Sequence, residues 1–162
     1  MRSRYAAAFA LAAAAGTGLH FLYPLLPIPL VALFAPVSES VWEHLKLLYW
    51  PFLVAAAALA RQERHRLRAW SGFLASLLLQ PLVLTAVYYL LHAGFGVDAL
   101  WVEIGLYYAV LAAGFRAARA IAAGGRAEPG LGLLIVLAAI YGVCLMVFSL
   151  AAPALPIFTA SP

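Results

Sequence analysis

Leu131-Gly-Leu-Leu-Ile-Val-Leu-Ala-Ala-Ile-Tyr-Gly-Val-Cys-Leu-Met-Val-Phe-Ser-Leu-Ala151 runs for 21 residues without a charged side chain. A bilayer core of about 30 Å takes about 20 apolar residues at helical rise. Inside lipid every backbone N–H and C=O must find an internal partner, so a crossing segment is a helix or part of a closed barrel. This stretch has no apolar–polar alternation, and it therefore reads as a membrane-spanning helix. Four further stretches read the same way: Tyr5 to Tyr23, Val41 to Ala60, Ala69 to Ala93 and Ala99 to Ala118. The expected fold is an all-α bundle of five transmembrane helices forming a single domain over residues 1–162.

Composition supports this from outside the segments. Of the 162 residues, 67% are hydrophobic and 10% charged, and mean hydropathy is +1.00. A soluble domain is about 45–50% apolar and about 25% charged, so a water-soluble enzyme is excluded. Intrinsic disorder, which needs few apolar residues and many charges, is excluded too. Cys144 is the only cysteine, which removes a disulfide scaffold. The net charge of +4 does not point to nucleic acid. Its basic residues form short clusters between apolar runs (Arg2 and Arg4, Arg61 to Arg68, Arg116 to Arg126), as cytoplasmic loops do. Placing the N-terminus in the cytoplasm puts all of these arginines inside and leaves Lys46 on the outer half. The expected location is therefore the cytoplasmic membrane, N-terminus in and C-terminus out. Arg2 and Arg4 before an alanine-rich run also resemble a signal peptide. The apolar run continues past Ala15 to Leu22, which is long for one.

Between the first two helices lies an apolar segment from Pro24 to Val37 with four prolines, Pro24, Pro27, Pro29 and Pro36. Proline blocks helix propagation, and the segment is too short to span. It reads as an outer loop in the interface or as a re-entrant segment over residues 24–40. Pro51 and Pro81 lie inside helices and free the carbonyls of Leu47 and Leu77.

The ionisable groups gather at the outer side. Glu63 and Glu128 fall in the basic loops, where they read as solvated, and His65 reads as an exposed loop residue. Glu39, Glu43, Asp98 and Glu103, with His20, His44 and His92, map to the opposite end. Ionisable side chains at membrane depth are expensive and mark candidate sites. On one helix Glu39, Glu43, Lys46 and Trp50 would share a stripe, with His44 about 100° from Glu43. The binding candidates are His20, Glu39, Glu43, His44, Lys46, His92 and Glu103. A divalent metal here would draw on His20, Glu43 and His44, since mixed carboxylate and imidazole donors suit transition metals. Structural readings stand beside these. Ser40-Val-Trp-Glu43 fits a capping box, Glu43 and Lys46 can pair at i, i+3, Asp98 can cap a helix, and Cys144 reads as packing. Gln80, mid-helix, needs a hydrogen-bond partner.

His20-Phe-Leu-Tyr23, Pro36-Val-Ser-Glu-Ser-Val-Trp-Glu-His-Leu-Lys46 and Pro51 together resemble the signature of a bacterial multi-pass membrane protein family. That family's second motif reads Pro-Val-Asn-Glu-Ser-Val-Trp-Glu-His-Leu-Lys. Ser38 stands where it has Asn, and either residue can cap a helix. The resemblance covers about the first third of the chain and implies no activity.

Three functions fit these residues. In one, the outer Glu/His cluster binds a cation or relays protons, and transport through so few helices would call for a homo-oligomer. In the second, a metal-dependent hydrolase or transferase acts on a lipid-linked substrate, although H-E-x-x-H, G-x-S-x-G and P-loop motifs are all missing. In the third, the cluster is a structural ion-pair and capping network. Membrane lipids are the expected partners in all three.

Overall fold

The computed structural model describes residues 2–159, apart from the Arg2 side chain, which belongs to the N-terminal basic cluster above. Among these residues there are helices and turns and no strand. The alanine- and leucine-rich stretches form α1 (Arg2–Leu25), α3 (Val41–Ala60), α4 (Arg66–Tyr89), α5 (Leu100–Gly124) and α6 (Leu131–Leu150). A single turn, α2 (Pro29–Ala32), interrupts the proline-rich segment, with Pro29 at the first helical position, where its missing N–H does no harm. A π-helical turn over Leu90–Gly94 extends α4. Several ends run beyond expectation, chiefly that of α5. Its stop comes at Gly125, which takes the left-handed conformation (φ 65°) that glycine adopts without strain. At the start of α5 the N-cap position is Ala99 and makes no side-chain cap, so the capping role expected of Asp98 is not realised.

The helix at the centre is α3. It packs against α1, α4, α5 and α6, and 12 of its residues are buried. Phe52 sits between α4 and α5, with ring centroids 6.1 Å from Phe73 and 4.7 Å from Phe115. Close approach of α4 and α5 relies on Gly72, where a Cβ would run into the Ala118 carbonyl.

Four helices are long and apolar enough to cross a membrane: Ser3–Leu25, Arg66–Gly94, Leu100–Gly124 and Glu128–Leu150. In none is more than 28% of the apolar window buried against the protein. Leu11, Leu82, Trp101, Leu133 and Val143 are among the outward-facing side chains, an arrangement that water would penalise and hydrocarbon favours. The expectation of five such helices is thus met by four on length and apolarity. The exception, α3, carries Glu43, His44 and Lys46 in its first turns, and its neighbours cover it.

The two ends of the bundle differ in charge. The start of α1, the end of α3, the start of α4 and the end of α5 bring the arginines together. There Glu63 and Glu128 are engaged rather than merely solvated. Arg4 lies 3.8 Å from Glu63, and Arg68 Nε donates to Glu128 Oε2 at 2.8 Å. His65 is exposed, as expected.

Candidate functional site

Lys46 is fully buried at the opposite, acidic end. Its ammonium donates to Glu43 Oε2 at 2.7 Å, to Ala32 O at 2.7 Å and to Ala35 O at 3.0 Å. An ammonium has three N–H bonds, so Lys46 is saturated. Glu43 is equally committed. Its Oε2 also accepts from the Val37 N–H at 2.9 Å, and its Oε1 from Ser149 Oγ at 2.7 Å. The pair therefore pins the proline-rich segment and α6 to α3. Only half of the expected capping box forms: Ser40 Oγ accepts from the Glu43 N–H at 3.3 Å, while the Glu43 carboxylate goes to Val37. Glu43 is not among the residues whose ligand atoms gather with those of His20 and His44.

Glu39 takes its place. It precedes α3 and so leaves the stripe it would share with Glu43 on a longer helix. Ligand atoms of His20, Glu39 and His44 lie within 4.8 Å of one another. His44 Nδ1 donates to the Ser40 carbonyl at 2.8 Å, which leaves Nε2 facing Glu39 Oε2 at 3.3 Å. The His20 ring is 5.3 Å from the His44 ring, and its Nδ1 is buried without a partner among the described residues. A backbone carbonyl on the far nitrogen is how ligating histidines are usually oriented.

A second group forms at the end of α4. His92, Asp98 and Glu103 also bring ligand atoms within 4.8 Å. The π-helical turn carries His92, whose ring packs 4.1 Å from that of Tyr88. Its Nε2 faces Glu103 Oε1 at 3.2 Å, and its Nδ1 is 3.9 Å from Asp98 Oδ1.

Both groups border one cleft of about 580 Å³ between α1, α3, α4 and α5. His20, Glu39, His44, Asp98 and Glu103 line it, with Phe21, Leu84, Tyr88, Ile104, Tyr107 and Tyr108 as walls. Two tyrosines of its lining are anchored by hydrogen bonds. Tyr107 Oη donates to Leu47 O at 3.4 Å, the carbonyl that Pro51 frees. Tyr108 Oη and Thr17 Oγ1 share a hydrogen bond of 2.9 Å, and the Thr17 hydroxyl lies 2.9 Å from Ala13 O.

The pattern of one family, described as a family of unknown function (DUF6512), matches residues 5–161. The chain belongs to this family. No curated protein matches the sequence, and no solved structure does either.

In this DUF6512 protein the seven sequence candidates divide by role. His20, Glu39 and His44 meet; His92 and Glu103 meet; Glu43 and Lys46 meet one another and leave the donor groups. Asp98 joins the second group. Ser149 completes the first ion pair from a part of the chain 106 residues away, and nothing local in the sequence marks it. Gln80 Nε2 is 3.4 Å from Ser76 O, while its Oε1 has no partner among the described residues. Cys144 is free and half-buried, as a packing residue would be.

Proposed function

We propose that the chain is a five-pass protein of the cytoplasmic membrane, N-terminus inside and C-terminus outside, that binds a divalent transition-metal ion at its outer cleft. The fifth pass is α3, whose buried Glu43 and Lys46 are paired with each other and held by the proline-rich segment and α6. Orientation follows the arginine end, which the positive-inside bias assigns to the cytoplasm. The exposed Leu25, Leu26 and Leu30 suit a proline segment lying in the outer interface among lipids.

One observation carries the metal reading: two imidazoles and a carboxylate from α1, α3 and the loop before α3 converge within 4.8 Å. Nitrogen and oxygen donors in that ratio suit zinc and its neighbours. The His44 tautomer set by Ser40 presents Nε2 for coordination. Protein purified in detergent is expected to bind zinc saturably. His44→Ala and Glu39→Gln are each expected to weaken that binding about 10–100-fold or more with the fold retained. Equal zinc binding by wild type and His44→Ala would remove the reading.

The hydrolase or transferase alternative has one observation on its side. The cleft of about 580 Å³ adjoins His20, Glu39 and His44, and a zinc ion held by these three would supply an activated water to it.

A further inference from the structure

The cleft is far larger than an ion requires. A metal held by three donors at about 2.0–2.2 Å occupies a corner of it, whereas 580 Å³ falls within the range of about 300–1,000 Å³ typical of small-molecule sites. Its charge is one-sided. Glu39, Asp98 and Glu103 are three of the chain's six acidic side chains, and among the described residues no lysine or arginine lines it, although the chain as a whole is basic. A cleft lined by one sign of charge with low-dielectric walls concentrates the opposite charge. Beside the carboxylates the lining is apolar and aromatic: Leu84, Leu100, Ile104, Phe21, Tyr107 and Tyr108. Aromatic faces beside carboxylates receive ammonium groups well.

We infer that the cleft binds an organic cation with an apolar body, an alkylammonium-type molecule whose head is held by Asp98 and Glu103, apart from the His20–Glu39–His44 group. This rests on the cleft of the proposed function and does not need the metal. Glu103 is aimed by His92 at 3.2 Å, and Asp98, whose side chain is 79% exposed, reaches from the mouth. An anionic ligand would meet three carboxylates. A neutral one would gain nothing from them.

The test is calorimetry on full-length protein in nanodiscs of uncharged lipid, with empty nanodiscs subtracted. Hexyltrimethylammonium is expected to bind saturably, and 1-hexanol and hexanoate are not. Asp98→Asn and Glu103→Gln are each expected to weaken the ammonium about tenfold, the loss of one coulombic attraction at a partly exposed site. His44→Ala is expected to lose zinc and keep the ammonium; Asp98→Asn, at an exposed side chain, is expected to keep both the fold and zinc. Equal response to hexanol, or unchanged ammonium affinity in a folded Asp98→Asn/Glu103→Gln double variant, would overturn the inference. Failure of zinc alone would leave it standing and remove only the metal reading.

Discussion

At the scale of single residues, the acidic end contains two kinds of charge that the sequence does not distinguish. Glu43 and Lys46 are buried and bonded to one another and to their neighbours, while Glu39 and Asp98 are largely exposed. Removing one member of a buried pair strands the other, typically at a cost of about 3–5 kcal/mol. Lys46→Met is therefore expected to destabilise the protein by roughly that amount, read by thermal or denaturant unfolding in detergent. Glu43→Leu/Lys46→Met is expected to recover much of the loss, because no bare charge remains. Recovery stays incomplete, since the Val37 N–H loses its acceptor, whereas the Ser149 hydroxyl keeps Leu145 O at 2.9 Å. A neutral Lys46→Met would show that the pair does not hold the proline segment. The i, i+3 spacing of these two residues was legible in the sequence. The carbonyls of Ala32 and Ala35 were not, because they depend on a loop folding back and no periodicity encodes that.

At the scale of elements, Pro51 links three helices. It frees Leu47 O in α3, Tyr107 of α5 donates to that oxygen at 3.4 Å, and Gly16 of α1 leaves room for the phenol. A Cβ on Gly16 would run into Tyr107 Oη. Tyr107→Phe removes one hydrogen bond and is expected to cost about 0.5–1.5 kcal/mol. Gly16→Val overpacks the junction and is expected to cost about 1–3 kcal/mol. Combining Gly16→Val with Tyr107→Ala should cost less than the sum of the single changes, because the second makes space for the first. Strict additivity in unfolding measurements would mean that the two residues do not meet. Proline at position 51 and the freed carbonyl were readable from sequence alone; the tyrosine that answers it was not, since 60 residues separate the partners. The π-helical turn at Leu90–Gly94 escaped the sequence reading for another reason. Its residues continue the apolar run of α4 without interruption, so the run reads as one regular helix.

For the whole molecule, apolar runs made the helical class and most element positions legible, because membrane solvation acts on each segment separately. The cleft was not legible, because it exists only once α1, α3, α4 and α5 have chosen their neighbours. The same distinction governs α3. Apolarity alone selects four helices, and the fifth pass proposed for α3 rests on its running from the acidic end to the arginine end. Ser38 and His65 flank it and are both exposed. In a Cys144→Ala background, Ser38→Cys is expected to react with a membrane-impermeant maleimide on intact cells. His65→Cys is expected to react only after permeabilisation. Labelling of both from one side would mean that α3 does not cross and the chain makes four passes. Labelling of His65→Cys alone from outside would keep five passes and invert them, placing the arginines against the bias that polytopic membrane proteins follow. The cleft would then face the cytoplasm, and its ligands would have to be sought there.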